Sequence, residues 1–239
     1  MNHPIAPRRR TILLFTWAAG CVDAIVYIIA HVFTANMTGN AVLLGISLGR
    51  ELSIATLHSV AALVTFTAGV VLGSILVGES ARGIPWKGVR IATVIETVVL
   101  ALFAVVFFLP LPRTGEVSLE LLIGLSGFAM GMQSATVKRL NLPGIATTYI
   151  TGTMTSLIAG LIHHWGNEEA EDGAQDDAPI ERSLVLQAWV FVLYGLAATT
   201  SAVLYQHWPA GVALFPLAAI IIVTVTLYQE HPPRTKTNT

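Results

Sequence analysis

Two carboxylates and two Thr-Gly segments are the residues of this 239-residue chain best equipped for more than packing. Asp23 stands in "GCVDAIVY" and Glu96 in "ATVIETVV", each inside a long apolar run. A carboxylate at membrane depth is costly, so it faces a polar interior, carries a proton or balances a cation. At helical spacing Thr16, Gly20, Asp23 and Tyr27 share one face. That face suits a proton, cation or solute site, and equally an Asp that ties helices together through Tyr or Thr hydroxyls. Glu96 has Thr93 and Thr97 beside it, but Arg90 at the end of the same segment leaves snorkelling towards the interface as the alternative.

The second feature is "TANMTGN" at 34–40, echoed by "TTYITGT" at 147–153. Backbone inside a bilayer must be satisfied by protein or line a polar cavity. A helix broken at Asn36 would therefore gather side-chain oxygens and free amides in one place. The candidate solute- or ion-binding set is Asp23, Asn36, Thr38, Gly39, Asn40, Glu96, Gln133, Thr151, Gly152 and Thr153, with Asp23 taking a proton or cation. The dipole of such a helix end favours anions, whereas Asn and Thr oxygens suit a cation, and both remain open. In the plainer alternative 34–40 is an extracytoplasmic loop in which Asn36 or Thr38 caps a short helix.

Other chemistry finds little support. Cys21 is the single cysteine, which excludes a disulfide framework and a cysteine-based zinc cluster. His31, His58, His163 and His164 lie near segment ends, and the adjacent pair points to different helix faces, so no metal site is expected. "GLSGFAMG" lacks the nucleophile-elbow spacing, and neither a Walker loop nor a zinc-protease helix motif occurs. The chain is read as a non-enzyme without a cofactor. An acidic stretch at 165–182 lacks the alternating Asp spacing of a calcium loop and is expected to be solvated.

The elements that must position these residues follow from composition. Residues are 54% hydrophobic and 11% charged, where a soluble domain carries about 25% charged residues. The partner is therefore the lipid bilayer, and a net charge of -1 without a basic stripe excludes nucleic acid. The N-terminal "PRRRTILLFTWAAGC" resembles a lipoprotein signal, but its apolar stretch runs on past Cys21 to Phe33, so an uncleaved first span is expected. Hydrophobic segments fall at 11–33, 34–50, 53–78, 89–111, 118–138, 145–164, 184–206 and 209–228.

If all eight cross, Arg82, Lys87, Arg90, Lys138 and Arg139 lie outside, against the positive-inside rule. If 34–50 and 145–164 do not fully cross, only Arg50 and Arg113 of the 13 Lys and Arg residues lie outside. The fold expected is an all-α polytopic membrane bundle of six full spans plus two short or broken segments. Both termini are then cytoplasmic in a bacterial inner membrane. Eight spans remain the alternative, because 145–164 is long enough to cross.

The chain also matches itself. A shift of 111 residues pairs Leu14, Ala18, Gly20, Ala24 and Val26 with Leu125, Ala129, Gly131, Ala135 and Val137. A shift of 113 pairs Thr34, Thr38, Gly39, Leu44 and Leu48 with Thr147, Thr151, Gly152, Leu157 and Leu161. The halves are 1–115 and 116–239, and three full spans per half make the second copy inverted. Inverted repeats with polar-interrupted segments at matching positions are how many secondary transporters build a midplane site. Gly69 and Gly73, and Gly195 and Thr199, follow the small-xxx-small spacing of close helix contacts.

"GCVDAIVY", "TANMTGNAVLLG", "GMQSA" and "TTYITGTMTSL" together resemble the YoaK family of bacterial inner-membrane proteins over nearly the whole chain. The resemblance implies a six-span membrane protein and no particular activity. The function expected is a small secondary transporter or permease for an unidentified solute, with a homodimer left open. The alternative is a non-transporting scaffold or assembly partner.

Overall fold

The computed structural model describes residues 5–49, 53–78, 86–109, 116–140, 150–167 and 178–230, and among these every regular element is helical. Six helices are long, the last of them once its leading 3-10 turn is counted: α1 (Ile5–Ala30), α3 (Ile54–Val77), α4 (Trp86–Phe108), α5 (Glu116–Leu140), α7 (Ala178–His207) and α8 (Leu214–Glu230, or Pro209–Glu230 with the turn). Between them come α2 (Met37–Leu48), α6 (Ile150–Asn167) and a 3-10 turn at Pro209–Gly211. Arg9–Ala30, Ile54–Val77, Trp86–Phe108, Leu184–His207 and Pro209–Glu230 are long and apolar enough to cross a membrane. The sixth expected span falls on α5, which has the length but is less apolar. Ser126, Gln133 and Thr136 are buried on it, and it packs against α1, α3 and α4.

Contacts fix the direction of each long helix. Ile28 and Ile29 of α1, Phe107 of α4, Ser118 of α5 and Tyr205 of α7 line one cavity, so those four helix ends lie together. Gly127 of α5 faces Ala62 and Thr65 of α3, Gly131 faces Phe66 and Val70, and Gly73 of α3 faces Ala135, so α3 and α5 run parallel. The start of α3 therefore lies at the cavity end as well. At the opposite end the Arg90 guanidinium stands 5.4 Å over the Tyr228 ring, placing the start of α4 beside the end of α8. The six long helices thus alternate in direction, and Arg9, Arg10, Lys87, Arg90, Lys138 and Arg139 all lie towards this second, basic end.

The two remaining helices each join long helices at one and the same end. α2 leads from the end of α1 to the start of α3, both at the cavity end; with 12 residues it is about 18 Å long, against a hydrocarbon core of about 30 Å. α6 links the end of α5 to the start of α7, both at the basic end. For α2 both length and connectivity count against the eight-span alternative; for α6, with 18 residues, connectivity alone does.

Close contacts are made where glycine removes the Cβ. A Cβ on Gly69 would run into the Phe128 carbonyl, and one on Gly131 into the Phe66 carbonyl, so α3 and α5 touch backbone to backbone. A Cβ on Gly20 of α1 would lie 2.6 Å from the Tyr194 carbonyl oxygen of α7. Exchanging α1–α4 for α5–α8 turns the α1–α7 contact into α5–α3, α2–α3 into α6–α7, and α1–α8 into α5–α4.

Four sequence expectations need correction. Gly195 does not mediate a close approach: nothing lies within 4 Å of a Cβ there, and Thr199 hydrogen bonds back to its carbonyl at 2.9 Å. The first segment ends at Ala30 and not 33, because His31 adopts φ +54 and closes the helix with its N–H on the Tyr27 carbonyl at 2.9 Å. The acidic stretch is shorter than 165–182, since 165–167 belong to α6 and 178–182 to α7; residues 168–177 lie outside the described set. Glu96 does not snorkel: it sits about 15 Å from the start of α4 and is fully buried.

Candidate functional site

After His31 the chain turns back alongside α1. Its amides close on the Asp23 carboxylate, which lies seven residues, or about 10 Å, before the end of α1. Oδ1 accepts the N–H of Thr34 at 2.7 Å and of Ala35 at 2.6 Å, with the Thr34 hydroxyl at 3.4 Å. Oδ2 accepts the N–H of Asn36 at 3.1 Å and the hydroxyl of Tyr194 from α7. One carboxylate thus holds three consecutive backbone amides that no helix or strand satisfies, two of them on the fully buried Thr34 and Ala35. It also supplies negative charge at the start of α2, which begins at Met37.

The rest of "TANMTGN" completes the turn. Asn40 is buried and pairs with the Phe33 backbone in both directions: its Oδ1 accepts the Phe33 N–H at 2.8 Å, and its Nδ2 donates to the Phe33 carbonyl. The Phe33 ring stacks on Tyr27 with centroids 4.8 Å apart. A Cβ on Gly39 would approach that ring to 2.8 Å, so glycine leaves the space Phe33 occupies. The Asp23 carboxylate, the Asn40 amide and the space left by Gly39 are thus all taken up by the turn itself. Asn36 and Thr38 are the exception: both are exposed, and Asn36 makes no side-chain cap on α2.

The remaining candidates lie elsewhere. Gln133 is buried on α5 and donates from Nε2 to the Phe15 carbonyl at 3.0 Å, tying α5 to α1 about 12 Å along the helix from Asp23. On α6, Thr153 is buried and Gly152 faces open space, while the side chain of Thr151 is outside the described set. α2 rests on α3 and α6 on α7; among the described residues the two short helices are not a packed pair, so the ten candidates do not form one constellation.

Glu96 is the one carboxyl among the buried side-chain groups described without a hydrogen-bond partner. It is fully buried near the middle of α4, and among the described residues no donor reaches either carboxyl oxygen. The neighbouring threonines are occupied: the Thr97 and Thr224 hydroxyls pair at 2.9 Å across α4 and α8, and Thr224 also donates to the Thr93 carbonyl at 3.3 Å.

The cavity at the far end has a volume of about 240 Å³ and is lined by apolar residues together with Ser118 and Tyr205, which bring its hydroxyls. None of the ten candidates lines it. No group of three or more His, Cys, Asp or Glu side chains suited to a metal occurs among the described residues. The residue missed from sequence is Tyr194. Its signal was Gly20, one turn before Asp23 on the same face, which marks where α7 comes close enough for a hydroxyl to reach the carboxylate.

Comparison with known proteins matches residues 11–227 to the family described as "Protein of unknown function (DUF1275)". The chain is 31% identical over 223 residues to the "UPF0700 transmembrane protein YoaK" of Bacillus subtilis (strain 168), covering 92% of this chain and 95% of that protein. This bears out the YoaK-like resemblance drawn from the motifs. No solved structure matches.

Proposed function

This chain belongs to the DUF1275 family and is a multi-pass transmembrane protein, and from that premise we propose that it is a secondary transporter or permease for a small polar solute. The observation that carries the proposal is the start of α2, held at membrane depth by Asp23 with the Asn36 and Thr38 side chains exposed beside it. Irregular backbone at that depth is tolerated where it lines a polar path, and half-helices of this kind hold solute in transporters. Asn36 and Thr38 are assigned to the solute. Asp23 becomes a positioning residue, because its oxygens already serve the turn.

The exchange symmetry of the helix contacts supports an inverted repeat, in which α6, with Gly152 and Thr153, is the matching half-helix from the opposite side. The basic end is assigned to the cytoplasm, which puts both termini there and α2 on the outer half.

A thermal-shift screen of the purified protein against amino acids, organic acids, sugars and ions tests the proposal, since a bound solute raises apparent stability by mass action. A stabilising solute should undergo counterflow in proteoliposomes. Thr38→Val should remove both effects while leaving the melting temperature without solute unchanged. Should no compound stabilise the protein and none be exchanged, the transporter reading fails. The scaffold reading would then stand on the observation that Asp23, Asn40 and Gln133 all bond within their own chain.

A further inference from the structure

Glu96 does not belong to the α2 turn and makes no bond that would explain a carboxyl group in α4. Ten residues from Trp86 and twelve from Phe108, it stands about 15 to 18 Å from either end of a spanning helix, near the midplane. Its relative exposure is 0%, and among the described residues neither oxygen has a hydrogen-bond donor. Buried polar groups are nearly always satisfied, and a carboxyl left alone at membrane depth marks a working group. A bare carboxylate there would be an uncompensated charge in a low-dielectric medium, so something has to neutralise it.

The surroundings decide what. α4 packs against α3, α5, α8 and the 3-10 turn. The ionisable side chains described on these elements are His58 on α3, Glu120, Lys138 and Arg139 on α5, and Tyr228 and Glu230 on α8; Lys87 and Arg90 are on α4 itself. None of them hydrogen bonds to Glu96, and Arg90 stands over the Tyr228 ring. A desolvated metal cation would need several oxygen ligands, whereas a proton needs only the carboxyl. No hydroxyl reaches Glu96, and it forms no acidic cluster with other described residues.

We propose that Glu96 is a proton-binding site, which takes up a proton from water and returns it to water as the bundle around α4 and α8 opens and closes. Only the carboxyl O–H bond forms and breaks. That this proton is coupled to solute movement rests on the transporter reading; the binding itself does not. The Thr97–Thr224 hydroxyl pair, which joins α4 to α8 one residue along, is the contact that has to part for water to enter.

The test uses the full-length protein in liposomes and dicyclohexylcarbodiimide, an apolar reagent that adds to protonated carboxyls within membranes. Peptide mapping should find the adduct on Glu96 and not on Asp23, whose oxygens are occupied. The adduct should be lost in Glu96→Gln and should fade as the pH is raised. The infrared band of a protonated carboxyl should disappear in the same variant. If Glu96→Gln does not fold, mapping of the wild-type adduct decides alone. An unlabelled Glu96 at acidic pH overturns the proposal, and protection by sodium or potassium ions overturns it in favour of a metal cation. A labelled Glu96 without any stabilising solute upholds the site and counts against the transporter; a solute-stabilised protein with an inert Glu96 does the reverse.

Discussion

Replacing Asp23 by Ala strands the donors now gathered on its carboxylate: the amides of Thr34, Ala35 and Asn36 and the Tyr194 hydroxyl. Hydrogen bonds to a charged group contribute about 1.5 to 3 kcal/mol each. Thr34 and Ala35 are fully buried, so water cannot replace the lost acceptor for their two amides, which alone puts the cost at about 3 to 6 kcal/mol. In Asp23→Asn the carbonyl oxygen still serves Thr34 and Ala35, the Tyr194 hydroxyl can turn to accept, and only the Asn36 amide meets another donor. That costs about 1 to 3 kcal/mol. Tyr194→Phe removes one donor and strands none, and should leave the turn in place. Melting temperature in detergent should therefore fall most for Asp23→Ala and less for Asp23→Asn. Hydrogen exchange over residues 31–40 should accelerate in the same order, with Tyr194→Phe near wild type. An Asp23→Ala protein with wild-type exchange in this segment would refute the clamp. Equal damage from Asn and Ala would show that charge, and not the number of acceptors, holds the turn.

Glycine substitutions separate used from unused small-residue positions. Gly131→Ala drives a Cβ into the Phe66 carbonyl and should cost about 1 to 3 kcal/mol, because a helix backbone has to move. Gly195→Ala meets nothing within 4 Å and should leave the melting temperature unchanged or slightly raised. For topology, Gly49→Cys should react with an impermeant maleimide from outside intact cells, and Lys138→Cys only after permeabilisation, with buried Cys21 giving no background. Eight crossings would reverse both results.

Much of the fold was legible because hydropathy and charge act residue by residue. The 12-residue α2 sits where the positive residues demanded a segment that does not cross, and the basic ends of α1, α4 and α5 gather as that count required. Less of the site was legible. Asn40 and Gly39 were chosen as ligands for being polar or small inside an apolar run, and both serve Phe33, a residue with no visible signal of its own. Gly195 had the same spacing as Gly69 and faces open space, since spacing defines a helix face but not whether another helix covers it.

By itself, the amino-acid sequence determined that this is an all-helical membrane protein, and its positive charges favoured six full spans over eight. Transfer into a bilayer depends on local apolar length and on the side to which positive charge is confined. Only the tertiary structure decided what its two buried carboxylates do. Asp23 and Glu96 read alike as acids in apolar runs. Asp23 is met by a turn eleven to thirteen residues on and by Tyr194, 171 residues away, whereas Glu96 is met by no described donor. Whether a buried charge is satisfied is settled by donors within about 3 Å, and the chain brings those from distant positions.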